Sequence, residues 1–456
     1  MSAPEQAKKI VIIGGEAAGM SAAAKARRVD PQATITVFEQ SEVISFGACG
    51  LPYFIGDFFS NPKEMTEMTP EQFAARGVDV RIRHQVLNVN TADQTVQVKN
   101  LNTGELFTQA YDRLMIATGA TPIVPPVPGL VEGLNAGRVF CVKTLNDGLA
   151  LREIVTSDKI QDVAIIGAGY IGLEMAEALV RQNKTVRIFD SAERPLATTF
   201  DADITERVSQ ELERHGVSCH WQETLQQLTE SDSGCLHLQT SHDSYQADLV
   251  VLCTGVRPGT GFVREIGLAM TGNGAIIVDD QARTSVENIF SAGDCATVPH
   301  GQIDAPMWIP LATYANKLGR LAGEVMAGLD SRFPGAYGAA CLKVMGLEAG
   351  RVGLTEQEAA THNIPCKTVV IKDKDHTSYY PGQSEILVKL VYEPDTKKIL
   401  GGQIIGGCGA VLRVDVLSAA IKGGLTTEDL GMLDLCYAPP FARTWDALNV
   451  AGNVAR

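Results

Sequence analysis

Residues 162–190 read DVAIIGAGYIGLEMAEALVRQNKTVRIFD, and residues 10–39 read IVIIGGEAAGMSAAAKARRVDPQATITVFE. Each begins with an apolar run of strand length and turns on glycines. Each then passes through a stretch with helical periodicity and returns to a second apolar run. That is a βαβ unit of about 30 residues. A related strand and turn follows each one, LMIATGATP (114–122) and LVVLCTGVRP (249–258). The chain thus carries a divergent internal repeat. The fold class expected is α/β, with two doubly wound, Rossmann-like domains.

The rest of the chain bounds what these domains can do. At 456 residues it has room for roughly three domains. Apolar residues make up 45% and charged residues 20%, which is ordinary globular usage. The net charge of −14 offers no general attraction to nucleic acid or to anionic membranes, so neither is expected as a partner. Ten cysteines without a C-x-x-C pair give neither a disulfide scaffold nor a zinc knuckle, and no metal site is expected. No signal-peptide pattern and no charge-free apolar stretch of membrane-spanning length is present, which points to a reducing, cytoplasmic setting.

PIVPPVPG (122–129) should form an extended connection between the repeats. IFSAGDCAT (289–297) and a helix near 311–328 follow the second repeat. Beyond Pro334 strands are expected near 367–371, 385–392 and 399–406, then a helix near 412–423, which suggests an α+β domain. On that helix Val414, Leu417 and Ile421 form an apolar stripe suited to a two-fold interface, with burial inside the subunit as the alternative. The expected domains are 1–155 with 281–330, an insertion at 156–280, and a C-terminal α+β domain at 331–456.

Gly167-x-Gly169-x-x-Gly172 follows a strand and opens a helix. Glycines there permit a tight turn, close approach of a pyrophosphate and close helix packing, and the helix start favours negative charge. Asp190, 23 positions on, would accept from a ribose 2′-hydroxyl and repel a 2′-phosphate, favouring NADH; nearby Arg194 would blur that preference. In the first copy Gly14 and Gly19 keep the turn and the packing position, Glu16 replaces the middle glycine, and Glu39 ends the next strand. Two dinucleotide sites in one chain let one cofactor reduce the other, which suggests FAD plus a nicotinamide.

Cys49 lies in SFGACGLPYF (45–54), a Gly-rich turn before a helix. A thiolate is stabilised at such a position, so this cysteine is the expected redox thiol. The other nine are expected to be small buried hydrophobes. Lys25, Arg27 and Arg28 sit on the first helix, either as a solvated face or as a phosphate clamp.

The two nucleotide folds, the ATG and GD segments and the cysteine after SF together resemble the pyridine nucleotide–disulfide oxidoreductases over essentially the whole chain. SFxxCGLPY, YYPG (379–382) and YAPPF (437–441) resemble the coenzyme A-disulfide reductase branch, which includes NADH-dependent persulfide reductases. The resemblance implies that Gly14, Glu39 and Asp294 hold FAD and that Gly167, Gly169, Gly172 and Asp190 hold the nicotinamide cofactor, NADH with NADPH possible. Gly19, Ala117, Thr118, Gly119, Gly255 and Gly293 are expected to be cofactor-binding as well. Tyr170 would shield the flavin and Glu174 orient the nicotinamide. Ser21, Lys25 and Arg28 match positions that contact coenzyme A. Tyr379 and Tyr437 would stand at the partner subunit's cysteine in a homodimer with shared active sites.

There are departures from the family's patterns. Phe54 stands where a redox dithiol would have its second cysteine, Ala17 where peroxidase relatives have a His, and Ala48 where the coenzyme A branch often has Asn. The implied activity is NAD(P)H-driven reduction of coenzyme A disulfide or persulfide. The alternatives are an NADH oxidase or peroxidase using a cysteine sulfenic acid, and an NADH-binding flavoprotein with a sensing or interaction role.

Overall fold

The structure is a computed structural model and describes residues 7–231 and 234–455. The chain forms two compact units: one of residues up to Gly50 with Asn61–Ile123 and Val256–Ala336, the other of Leu51–Ser60, Val124–Gly255 and the chain from Tyr337.

The first unit is built on a five-stranded parallel sheet. Its order is Ile289–Ser291, Arg113–Ile116, Lys9–Ile13, Thr34–Phe38, Val78–Arg81. This is the doubly wound order, with the first strand central and the path reversing beside it. Successive strand residues point to opposite faces, yet Ile10, Val11 and Ile12 are all within 1% of full burial, so both faces are covered. Helix Ala17–Val29 meets helix Ala312–Met326 at backbone contact. A Cβ on Gly319 would lie 2.4 Å from the Ala18 carbonyl oxygen, and one on Gly323 2.3 Å from that of Ala22.

The second unit contains the second parallel sheet, in the order Ser218–Trp221, Thr185–Asp190, Asp162–Ile166, Leu249–Leu252, Val139–Cys141. The edge place taken in the first sheet by a later strand is taken here by an earlier one. The sheet therefore draws on chain before residue 156, where the sequence reading began this domain, and residues 256–280 go with the first unit. Val139–Cys141 is three residues long and pairs with residues more than 100 positions away, so periodicity carried no sign of it.

The C-terminal part of the same unit is a five-stranded antiparallel sheet, Ala340–Val344, Leu347–Gly353, Ile399–Gly406, Glu385–Tyr392, Lys367–Lys374. Helix Ala410–Gly423 packs on it. Val414, Leu417 and Ile421 are at most 7% exposed and sit in one core with Ile386, Val388 and Ile404. The stripe expected at a two-fold interface is consumed inside the subunit. The apolar side chains this domain leaves exposed are others, among them Tyr379, Leu412, Met432, Phe441 and Trp445. Lys389, 3% exposed, anchors this domain to the second parallel-sheet domain, reaching Asp201 at 3.2 Å, Asp203 at 2.7 Å and Glu356 at 2.8 Å.

All ten cysteines are free. The expectation of nine buried ones is corrected: Cys295 is buried, but Cys341, Cys408 and Cys436 are exposed, because strand edges and loops carry them. Among the described residues no helix is long and apolar enough to cross a membrane, and no group of three or more His, Cys, Asp or Glu could hold a metal ion.

Candidate active site

In the first unit Gly14 has φ +108°, and a Cβ there would stand 2.2 Å from the Ala117 carbonyl oxygen. A Cβ on Gly19 would stand 1.9 Å from the Gly14 carbonyl oxygen. Only glycine fits either position. Buried Glu39 closes the turn: Oε2 accepts from the Gly15 amide at 2.7 Å and Oε1 from the Ser41 amide at 2.7 Å. Each oxygen keeps a further acceptor site for a diol. The odd residue of this turn, Glu16, directs Oε2 to the Phe46 amide at 3.2 Å and so ties the turn to the stretch preceding Cys49. Nearby, Gly119 and Gly293 have positive φ, and the Asp294 carbonyl accepts from the Trp308 indole at 2.9 Å. The Thr118 hydroxyl oxygen is buried with no hydrogen-bond partner among the described residues.

The second unit repeats the design. Gly167 also has φ +108°, with a Cβ placed 2.3 Å from the Cys253 carbonyl oxygen, and a Cβ on Gly172 would lie 2.0 Å from that of Gly167. Gly169 differs, because a Cβ there would meet nothing within 4 Å. Its bareness leaves open space at the helix start, where a pyrophosphate is bound in such turns. Asp190 mirrors Glu39: Oδ2 accepts from the Ala168 amide at 2.6 Å and Oδ1 from the Ala192 amide at 2.7 Å. Arg194 is turned to the 197–205 loop, donating to Phe200 O at 2.8 Å, Ala197 O at 3.2 Å and Thr205 Oγ1 at 3.1 Å. Gly255 follows the strand Leu249–Leu252 with φ +94°.

Helix Tyr170–Arg181 starts at the turn. Burial pushes the Tyr170 phenol up to about 12. Its ring packs 6.3 Å from that of Phe200. One turn on, burial pushes Glu174 up to about 7, against the pull of the Tyr53 hydroxyl, which donates to Oε1 at 3.2 Å. The buried hydroxyls of Thr118 and Tyr170, the paired acidic residues and the open space at Gly169 fit two dinucleotide cofactors.

Cys49 is exposed in a helical turn, Ala48–Gly50, that runs into helix Leu51–Ile55. The Gly50 amide bonds Gly47 O at 2.9 Å and the Gly47 amide bonds Met65 O at 2.7 Å, which fixes the turn. Phe54, at the place of a second thiol, is buried under the Arg152 guanidinium.

Ser21, Lys25 and Arg28 share one helix face. Ser21 donates to Asn316 Oδ1 at 2.8 Å and Lys25 pairs with Glu324 at 2.9 Å, while exposed Arg28 bonds back to Ala24 O at 3.1 Å. Arg27 is a structural clamp on the carbonyls of Pro31, Ala33 and Gly77.

The structure brings Tyr379 and Tyr437 together, hydroxyl to hydroxyl at 3.1 Å across 58 residues of chain. That bond raises the Tyr437 phenol above its ordinary value. Thr377 donates to Pro439 O at 3.1 Å, and Arg413 bonds both Asp375 O at 2.8 Å and Phe441 O at 3.1 Å, so the two tyrosine loops are braced on each other. Tyr380 turns away, its ring 5.7 Å from that of His376. Tyr53 was missed in the sequence; the one signal for it was its place in SFGACGLPYF.

Residues 8–319 match the family model described as pyridine nucleotide-disulphide oxidoreductase, and residues 339–448 match the dimerisation domain of that family. The chain belongs to the pyridine nucleotide–disulphide oxidoreductase family, whose members use FAD and NAD(P)H. Its C-terminal match indicates a homodimer. Among similar proteins, the NAD(P)H coenzyme A polysulfide/persulfide reductase of Pyrococcus horikoshii is 38% identical over 450 residues, 98% of each chain. The reduced CoADR-RHD of Bacillus anthracis superposes with a TM-score of 0.93 at 33% identity, covering 98% of this chain and 80% of that one. The water-forming NADH oxidase of Lactobacillus brevis, bound to NADH, has the same TM-score at 32% identity and covers 98% of each.

Proposed function

We propose that this enzyme reduces a low-molecular-weight disulfide or persulfide of coenzyme A, with electrons from NADH, through Cys49 alone. The observation that carries this is an exposed cysteine in a helix-start turn with buried Phe54 in place of a resolving thiol. A protein with one thiol at its redox turn needs the second sulfur from its substrate. The Pyrococcus relative, named for a coenzyme A persulfide, supports the substrate class.

FAD, reduced by the nicotinamide, supplies the electron pair. The chain's residues do the rest. The Cys49 thiolate attacks one substrate sulfur, forming a mixed disulfide and expelling the other sulfur as a thiolate. Two electrons then cleave the mixed disulfide, the second thiol departs, and the Cys49 thiolate is restored. The Tyr379–Tyr437 pair, reaching the partner subunit's cysteine in the dimer, gives a proton to the departing thiolate. Ser21, Lys25 and Arg28 meet the coenzyme A nucleotide, Lys25 exchanging Glu324 for phosphate.

Gly14, Gly19, Glu39, Thr118 and Asp294 bind FAD. Gly167, Gly169, Gly172 and Asp190 bind the nicotinamide nucleotide, Tyr170 acts as its gate, and Glu174 orients its ring. Asp190 favours NADH, and the terminal nitrogens of Arg194, turned to Phe200 O and Ala197 O, leave that preference in place. Ten free cysteines suit a reducing cytoplasm.

The test is NADH consumption with coenzyme A disulfide, coenzyme A persulfide, hydrogen peroxide and oxygen, each alone. The reading expects the highest kcat/KM with one of the two coenzyme A substrates. Preference for peroxide or oxygen would instead favour the oxidase reading carried by the Lactobacillus relative.

A further inference from the structure

We propose that Tyr53 is a positioning residue that sets the protonation state in which Glu174 meets the nicotinamide. This rests on the reading above that Glu174 faces that ring. Tyr53 lies on helix Leu51–Ile55, which continues from the redox-cysteine turn, and its hydroxyl donates to Glu174 Oε1 at 3.2 Å. Both side chains are half-buried, so the bond is shielded from water on part of its surface. A phenol that stays protonated can only donate toward a carboxylate; here burial, then the Glu174 charge, hold Tyr53 well above the ordinary tyrosine range.

The other groups facing Glu174 all disfavour its charge or leave it unaided. They are Glu177 one turn along its own helix, Cys253 after the strand Leu249–Leu252, and Cys341 on the strand Ala340–Val344. The charge of Glu177 is itself met elsewhere, by Lys343 at 2.6 Å and by the Met345 amide at 2.9 Å. Tyr53 is thus the donor on the described side chains that holds Glu174 toward its ionised form. With Oε1 engaged, Oε2 remains to accept from the carboxamide N–H of the nicotinamide, and the positive ring of the oxidised nucleotide favours a carboxylate over a neutral acid. Because burial brings Glu174 to about 7, a single donor decides the proton's place at physiological pH.

The test is binding of NAD⁺ to the oxidised holoenzyme, measured by calorimetry between pH 6 and 9, with no turnover. In the wild type, affinity should rise with pH through an inflection near 7. In Tyr53→Phe the lost donor raises that inflection by about one pH unit. Kd at pH 7 should then weaken about fivefold while the two proteins converge by pH 9. An unmoved inflection, or weakening that is equal at every pH, overturns the proposal. Glu174→Gln separates the two readings: it should bind with no inflection near 7. If it retains the wild-type inflection, Glu174 does not face the nucleotide, and both readings fall. If the inflection is lost in Glu174→Gln but unmoved in Tyr53→Phe, only the role of Tyr53 falls.

Discussion

Replacing Asp190 by Ala tests how the second glycine turn chooses its nucleotide. The carboxylate caps two backbone amides, of Ala168 at 2.6 Å and Ala192 at 2.7 Å, and each oxygen keeps one acceptor site. Two ribose hydroxyls would fill those sites with charge-assisted bonds of about 1.5–3 kcal/mol each. Asp190 is only half-buried, and water replaces part of what is lost, so the loss for NADH should be about 2–4 kcal/mol. That is roughly a 30- to 1,000-fold fall in kcat/KM. NADPH has no 2′-hydroxyl to donate and would be repelled by the charge, so its kcat/KM should fall far less or rise. Arg194 will not rescue NADPH fully, since its terminal nitrogens are engaged with Phe200, Ala197 and Thr205. Steady-state kinetics with both nucleotides at a fixed, saturating disulfide concentration give the ratio directly. An equal loss for NADH and NADPH would refute the reasoning and leave Asp190 as a brace of the turn.

Three further outcomes are expected. Tyr437→Phe should lower kcat with the disulfide by about 100-fold, the low end for lost acid catalysis, because Tyr379 remains at 3.1 Å. Mixing it with Cys49→Ser subunits should restore activity in the heterodimer, and continued inactivity despite verified subunit exchange would exclude action in trans. Lys25→Ala with Arg28→Ala should raise KM for coenzyme A substrates more than for small disulfides; equal effects would return both to the solvated surface. Lys389→Met should cost about 3 kcal/mol by stranding buried Asp201, lowering Tm by roughly 3–6 °C in a melting scan. The carboxyl of Asp201 resists burial yet is held below its ordinary value by Gln403, the Glu356 amide and Lys389. Its stabilisation is therefore complete above its unfolded value, near pH 4, and lost as pH falls through the lower folded one. If Tm is unchanged in the variant, the cluster contributes no net stability.

Much of the fold was legible because glycine turns are a covalent constraint. Gly14 and Gly167 share a φ of +108° that other residues rarely adopt, and the buried strands beside them read as unbroken apolar runs. Interfaces were harder to read. Val414, Leu417 and Ile421 have the same spacing whether they face their own sheet or a second subunit, and the structure gives them to their own sheet. Polar pairs left no periodic trace at all. Tyr379 and Tyr437 are 58 residues apart, and only the resemblance to a family suggested that they belong together. Tyr53 and Glu174 are separated by 121 residues on elements of different character. Arg194 shows the limit of proximity in sequence: four residues from Asp190, it spends its donors on a loop that no local pattern foretold.

The central claim is that Cys49 alone carries the exchange with the substrate's sulfur. It is tested most directly by anaerobic thiol release from coenzyme A disulfide, with NADH oxidation followed in the same cuvette, in the wild type and in Cys49→Ser. The account predicts two thiols per NADH in the wild type. In Cys49→Ser it predicts a flavin still bleached by NADH but no thiol released; full turnover of the disulfide by that variant would contradict it.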